Sequence, residues 1–172
     1  MLNGQESLAK SIETVNSYVE DPTVGLPEEV FKFATTITPM INVDLLVKNE
    51  KGHVLMSWRD DMCGQGWHVP GGIIRYKERI HDRIIKVGES ELHTTVSHDE
   101  VPLMINEIIL EQRVRGHFIS LLFKCYVPDD YVIDNGEIRK GQAGFLKWIE
   151  KCPEDFVMGQ RDIYNTLWDG ML

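Results

Sequence analysis

The sequence predicts a single α/β domain, an α/β sandwich built on a mixed β-sheet. Two observations lead to this fold class: runs of β-branched residues recur along the chain, and segments of helical periodicity are interspersed between them. The length of 172 residues suits one domain with a sizeable core and is short for two. We therefore expect residues 1–172 to form one domain, with residues 1–25 as an N-terminal helical extension.

Helices are predicted near both ends of the chain and after a double glycine. Residues 6–19 place four apolar side chains on one helical face, at Leu8, Ile12, Val15 and Val19. Pro27 suits the first turn of a second, short helix that ends near Ala34. Two further helices are predicted over residues 78–92 and 160–168.

Strands are predicted where runs of β-branched and aromatic residues are bounded by turn residues. They cover residues 40–47, 53–58, 67–69, 105–111, 117–127 and 145–149. The turn at residues 49–52 makes the first two strands a hairpin, and a polar loop is expected from Arg59 to Trp67. Gly71 and Gly72 then break the chain, and glycines let the backbone approach a ligand closely.

The composition excludes several classes of function. The net charge of −9 argues against a nucleic-acid or membrane-surface binder, because both need a basic face. The cysteines are scattered and odd in number, which favours reduced thiols; they are Cys63, Cys125 and Cys152. The first residues lack the pattern of a signal peptide, and no apolar run approaches membrane-spanning length. We therefore predict a cytoplasmic protein.

A carboxylate closes the core-facing side of the helix that is predicted after the double glycine. At about 100° per residue, Ile80, Ile84 and Val87 form one apolar stripe, and Glu91 falls within about 20° of its centre. The other acids of this helix lie roughly 160° or more from that centre and are expected to be solvated. They are Glu78, Asp82 and Glu89.

The inward position of Glu91 predicts a cation site. Burying a carboxylate without a partner is costly, and Mg²⁺ or Mn²⁺ is a natural partner because hard cations prefer oxygen ligands. The alternative is an ordinary amphipathic helix after a tight turn, in which Glu91 reaches solvent at the helix end. Spacing alone does not decide between the two.

The spacing of residues from the double glycine onward resembles a degenerate Nudix box, the signature of hydrolases acting on nucleoside diphosphates linked to another group. Gly72, Glu78 and Lys86 match the spacing of the box. The usual box has Arg-Glu at Lys86-Val87, Glu-Glu at Ser90-Glu91 and glycine at His93. Several of these departures recur in the GDP-mannose mannosyl hydrolases, which keep a single helix glutamate at the position matching Glu91.

That resemblance extends from residue 26 over nearly the whole remaining chain. It is carried by LPEEVFKFATTITPMINVDLLVKNEKGHVLMSWRDD, QGWHVPGG, GHFISLLFKCYV and GQAGFLKWIE. It implies the Nudix fold, a homodimer, and a Mg²⁺-dependent hydrolase of a nucleoside diphosphate sugar. It also implies three metal ligands, the Gly71 carbonyl, Glu91 and Gln142. Arg59 aligns with an arginine of the family, and we interpret it as the cation for the phosphates, with a surface pair to a neighbouring aspartate as the alternative.

Two departures from the family pattern concern the chemistry directly. Ile73 replaces a second family arginine, and Arg75 is the candidate substitute. Ala143 stands where the family has a histidine that acts as general base, and loss of such a base typically costs about 10²–10⁴-fold in rate. Three histidines, His68, His93 and His117, could titrate near neutrality, although a structural role is favoured for each.

Two other functions compete with sugar hydrolysis. A pyrophosphohydrolase would cleave between phosphates, but most Nudix enzymes of that kind use two or three box glutamates, whereas one faces inward here. A binding module would hold a nucleotide sugar without turning it over, and Ala143 and Ile73 favour this alternative. The identity of the base and the sugar is not predicted.

Overall fold

Two β-sheets, one mixed and one antiparallel, form the centre of the chain. A computed structural model describes residues 2–61, 64–157 and 159–169. The helices are α1 (Leu2–Ser17), α2 (Glu28–Ala34), α3 (Ile80–Val87) and α4 (Gln160–Tyr164). The strands are β1 (Met40–Val47), β2 (Val54–Asp61), β3 (Gly64–His68), β4 (Gly71–Ile73), β5 (Ser97–His98), β6 (Met104–Ile109), β7 (His117–Tyr126) and β8 (Leu146–Ile149).

The mixed sheet is organised around β1 and β7, which run parallel from the Met40–Phe118 pair to the Val47–Cys125 pair. Strand β4 pairs antiparallel with the other edge of β1, and β5 and β6 both pair antiparallel with β7. The second sheet has the antiparallel order β3-β2-β8. This arrangement of a mixed sheet with helices confirms the predicted α/β sandwich.

Strand β1 is buried on both of its faces because it separates two hydrophobic clusters. Val43 and Leu45 pack in a cluster that includes Ile84 and Val87 of α3. Leu46 points the other way, into a cluster with residues of β2, β3 and the C-terminal helices. A strand buried on both faces reads as a near-continuous apolar run, and the segment MINVDLLV has this character.

The segment between Arg59 and Trp67 differs from the polar loop that was predicted. Strand β2 continues to Asp61 and pairs antiparallel with β3. Gly66 lies in this paired segment and packs closely against the chain, since an added Cβ there would collide with the Asp155 carbonyl oxygen. The close approach lets Trp67 donate its backbone N–H to that oxygen at 2.8 Å. Long-range contacts of this kind have no local pattern in the sequence.

The N-terminal helix, predicted over residues 6–19, is observed at Leu2–Ser17, and its apolar face is exposed. Leu8 is 61% exposed and Ile12 is 52% exposed. Within residues 2–61, 64–157 and 159–169, no helix is long and apolar enough to cross a membrane. Cys125 and Cys152 are free thiols, and Cys63 lies outside the described residues.

Candidate active site

The double glycine lies where β4 pairs with β1, and the packing there leaves no room for a side chain at position 71. A Cβ at Gly71 would collide with the Asp44 carboxylate and would lie 2.5 Å from the Val43 carbonyl oxygen. Pro70 is held in the same place, since its carbonyl oxygen accepts a hydrogen bond from the Leu45 N–H at 2.8 Å. The backbone of the double glycine is therefore fixed against β1.

Asp44, beneath Gly71, is the centre of a buried polar cluster that the sequence analysis missed. Its side chain accepts hydrogen bonds from Asn42 at 2.8 Å and from the hydroxyls of Ser120 and Tyr164, each at 2.5 Å. Burial raises the pKa of Asp44, and these hydrogen bonds oppose that effect. An aspartate inside an otherwise apolar strand was the available signal, because a buried carboxylate needs partners.

Glu91 is presented by a change in helix geometry rather than by a regular helix. Helix α3 ends at Val87 and continues as one π-helical turn, Gly88–Leu92. Such turns are rare and are often found at functional sites. The predicted stripe is confirmed for Ile84 and Val87, which are buried, whereas Ile80 is 40% exposed.

The surroundings of Glu91 suit a cation. Its Oε2 atom is buried and has no hydrogen-bond partner among the described residues. The imidazole of His68 lies nearby, with its Nε2 atom 3.6 Å from Oε2. A buried carboxylate oxygen without a donor is suited to a metal ion. The part of the chain that the structure describes contains no cluster of three or more His, Cys, Asp or Glu side chains suited to a metal.

Glu78 corrects one prediction, because it is not solvated. Its side chain is only 5% exposed and forms ion pairs with Arg83 at 2.7 Å and Lys86 at 2.8 Å. It also accepts a hydrogen bond from the Arg75 backbone N–H at 2.9 Å. The helical projection was wrong because α3 begins at Ile80, so Glu78 belongs to the preceding loop.

The ionisation of Glu78 should make the stability of the fold depend on pH in the acid range. Burial raises its pKa, but the hydrogen bonds from Lys86, Arg75 and Arg83 outweigh it and lower the value from 4.5 to about 2. A depressed pKa in the folded state stabilises the ionised form. Its contribution to stability is therefore present above about pH 4.5 and is lost as the pH falls towards 2.

We expect Glu78→Gln to lower the free energy of unfolding at pH 7 by on the order of 2–3 kcal/mol. The difference from the wild type should shrink between pH 4.5 and pH 2, because the wild-type carboxylate is then protonated. Urea denaturation followed by circular dichroism at several pH values measures this. An equal difference at pH 7 and pH 2 would contradict the assignment.

A cleft of about 670 Å³ opens beside the double glycine. Its lining combines apolar side chains with four arginines: Arg59, Arg75, Arg83 and Arg115. Two lining atoms, Asn42 Oδ1 and Arg115 Nε, are buried and lack a hydrogen-bond partner within the described ranges. The cleft thus offers positive charge, a free acceptor and a free donor to a ligand.

The structure brings some of the predicted site residues together and separates others. Arg59, Gly71 and Arg75 line the cleft. Arg59 also lies 3.6 Å from Asp61, which is the surface pair considered as the alternative, and its role towards phosphates stays a prediction. Glu91 is not among the described residues that line the cleft.

Gln142 and Ala143 lie in an exposed loop that is attached to β2. The Gly144 N–H donates a hydrogen bond to the carbonyl oxygen of Trp58 at 2.8 Å. Trp58 precedes Arg59 on β2, so the loop contacts β2 one residue before Arg59. The Gln142 Oε1 atom accepts a hydrogen bond from the Arg139 N–H at 2.7 Å. Its role as a metal ligand stays a prediction.

Sequence comparison with known proteins finds distant relatives. No family model matches the chain. The chain is 26% identical over 116 residues to the low-salt glycan biosynthesis protein Agl8 of Haloferax volcanii. The match covers 64% of this chain and 74% of that protein.

Solved structures resemble the fold over most of its length. A MutT Nudix hydrolase from Burkholderia pseudomallei has a TM-score of 0.58 at 14% identity, covering 78% of this chain and 99% of that one. A possible asymmetric diadenosine tetraphosphate hydrolase from Jonesia denitrificans has a TM-score of 0.57 at 20% identity, covering 74% and 91%. The MutT protein from Methanosarcina mazei has a TM-score of 0.55 at 20% identity, covering 76% and 94%. The chain therefore has the Nudix fold.

Proposed function

We propose that the protein is a Mg²⁺-dependent hydrolase of a nucleoside diphosphate sugar that releases the sugar and the nucleoside diphosphate. The observation that carries this proposal is the arginine-lined cleft beside Gly71, on a chain whose net charge is −9. Arginines concentrated in one cleft of an acidic protein create a local site for an anion. The volume of about 670 Å³ falls within the range of about 300–1,000 Å³ that is common for ligand sites.

Arg59 and Arg75 would bind the phosphate oxygens. A guanidinium group donates two parallel hydrogen bonds to such oxygens, which an ammonium group cannot do. Arg83 is paired with Glu78 at 2.7 Å, whereas the pair between Arg59 and Asp61 is longer, at 3.6 Å. Arg59 is therefore the easier of the two to redirect to a phosphate.

The metal would be held by the Gly71 carbonyl, Glu91 and Gln142. The partnerless Oε2 atom of Glu91 and the backbone of Gly71, fixed against Asp44, support the first two. Gln142 would exchange its hydrogen bond from Arg139 for the cation. When bound, Mg²⁺ or Mn²⁺ would supply a Lewis acid that stabilises charge on the departing phosphate oxygens.

The choice of a sugar substrate is supported by two likenesses. The sequence resembles the GDP-mannose mannosyl hydrolases, in which water attacks the anomeric carbon and one box glutamate is kept, as here. The Haloferax relative is named for glycan biosynthesis, and glycans are built from sugars. We therefore favour a GDP-mannose-like substrate.

The products formed from a panel of nucleotide sugars with Mg²⁺ test this proposal. Free sugar and a nucleoside diphosphate are expected, and chromatography with NMR identifies them. Sugar phosphate and a nucleoside monophosphate would instead show cleavage between phosphates, which the name of the Jonesia protein favours as the second candidate. Saturable binding without products would identify a binding module, which Ala143 and Ile73 favour.

Turnover is expected to be slow, and Ala143→His should raise it by about tenfold or more. An alanine accepts no proton from the attacking water, whereas metal and positioning alone still lower the barrier. Turnover measured from pH 5 to 9 should show a new titration near the usual histidine pKa. Ala143→Asn is the matched control, because it adds a polar side chain of similar reach without a base in this range.

The gain from Ala143→His should also vanish when Glu91 is replaced by glutamine. If the wild type already turns over at an ordinary enzymatic rate and Ala143→His is neutral or harmful, another residue acts as the base. His117 and the acidic residues of the loop at positions 128–141 are the next to replace.

We also propose that the protein acts as a homodimer. The exposed apolar face of α1 supports this, because surface this apolar is usually covered by a partner. Light scattering at micromolar concentrations should then give twice the chain mass of 19.8 kDa. A mass equal to that of one chain would contradict the proposal.

A further inference from the structure

His68 is a buried histidine whose ring faces Glu91 of the candidate metal site. It is the last residue of β3, three positions before Gly71, and its side chain is only 7% exposed. Its Nδ1 atom is buried and has no hydrogen-bond partner in the described part of the chain. The ring is therefore enclosed, yet no hydrogen bond at Nδ1 fixes its orientation.

The geometry between His68 and Glu91 suits a shared ion. The Nε2 and Oε2 atoms lie 3.6 Å apart, which is longer than a good hydrogen bond. Two ligands that each lie about 2.0–2.2 Å from one ion are separated by about 3–4 Å. An ion between Nε2 and Oε2 would give the partnerless Oε2 atom of Glu91 its partner.

The chemistry of the neighbouring positions also leaves room for a nitrogen ligand. Ser90 precedes Glu91, and its hydroxyl is engaged with the Lys86 carbonyl oxygen at 2.7 Å. Val87, one turn earlier, is apolar and buried. On this turn Glu91 is therefore the residue directed at the site, and a nitrogen ligand would come from a neighbouring element.

We propose that His68 Nε2 is a direct ligand of the divalent ion held by Glu91, so that the site binds a borderline metal such as Co²⁺ more tightly than it binds Mg²⁺. This inference rests on the metal site of the proposed function. Imidazole favours transition metals, whereas an all-oxygen site of carboxylate, carbonyl and water suits Mg²⁺. The histidine is what shifts the preference.

Pulsed electron paramagnetic resonance of Mn²⁺ bound to the full-length protein tests the nitrogen ligand directly. Imidazole nitrogen coupled to Mn²⁺ modulates the echo, and we expect this modulation in the wild type and its loss in His68→Gln. The matched control is His117→Gln, which replaces a histidine that pairs with Glu107 and is 37% exposed. That control should keep the modulation.

Calorimetric titrations supply the second readout. His68→Gln should weaken Co²⁺ binding by about tenfold or more, because even outer-shell partners of a metal cost 10–100-fold when removed. Mg²⁺ affinity should change much less, so the Co²⁺ to Mg²⁺ selectivity falls. Thermal melts establish that the His68→Gln variant is folded. The echo experiment on the wild type tests the nitrogen ligand without any substitution.

The results separate this inference from the proposed function. Bound Mn²⁺ without nitrogen modulation in the wild type overturns the inference and shows His68 to be only an ion-pair partner of Glu91. Hydrolysis of a nucleotide sugar in that case leaves the proposed function standing. Nitrogen modulation without any hydrolysis would support the inference and contradict the proposed function. Absence of Mn²⁺ binding would contradict both the inference and the metal site.

Discussion

The Glu91→Gln variant is expected to lose measurable Mg²⁺ and Mn²⁺ binding while it keeps its fold. The amide removes the negative charge, and its oxygen is a weaker ligand than a carboxylate. Loss of an outer-shell partner already costs 10–100-fold in metal affinity, so loss of this direct ligand should cost about 100-fold or more. Titration calorimetry and Mn²⁺ electron paramagnetic resonance measure the affinity.

The matched control for this variant is Glu89→Gln, on the same π-helical turn. Glu89 is exposed, so its replacement removes an equal charge without touching the buried Oε2 atom. Its metal affinity should stay within about twofold of the wild type, because surface substitutions away from a site have small effects. Unchanged affinity in Glu91→Gln would refute the site.

Asp44→Ala is expected to lower the free energy of unfolding by about 3 kcal/mol or more. The substitution removes the acceptor of three hydrogen bonds and leaves the Asn42 amide and two hydroxyls buried. Each buried polar group without a partner costs about 1–3 kcal/mol, although the hydroxyls of Ser120 and Tyr164 can still bind each other. Urea denaturation at pH 7 measures the change.

Two companion variants distinguish the loss of buried hydrogen bonds from the loss of a negative charge. Tyr164→Phe removes one donor and should cost about 0.5–1.5 kcal/mol. Asp60→Ala removes an exposed aspartate of β2 and should change stability by about 0.5 kcal/mol or less. If Asp44→Ala is no more harmful than Asp60→Ala, the buried cluster does not stabilise the fold.

Local patterns in the sequence predicted the elements whose signals are local. Strand β1 was predicted with its observed bounds, since MINVDLLV is rich in branched apolar residues and is followed by a turn. The helical stripe also directed attention to Glu91, whose Oε2 atom is buried. Strand β4 was missed because three residues that include two glycines carry no strand signal.

The features that could not be predicted depend on residues far apart in the sequence. Asp44 meets Ser120, 76 positions away, and Glu78 meets Lys86 only because the preceding loop folds back along α3. His68 and Glu91 likewise approach each other from two elements that are separated in the sequence. A helical projection or a strand pattern contains none of this information.

The hydrogen bond between Asp44 and Tyr164 spans 120 positions and joins the central strand of the mixed sheet to the C-terminal helix. When α4 detaches, the buried carboxylate of Asp44 loses one of its three hydrogen-bond donors. Opening this short helix therefore destabilises the core as well. Helices of about this length open readily when nothing holds them. We therefore expect residues 160–168 and β1 to open as one cooperative unit in amide exchange, so that the C-terminal helices share the protection of the central strand.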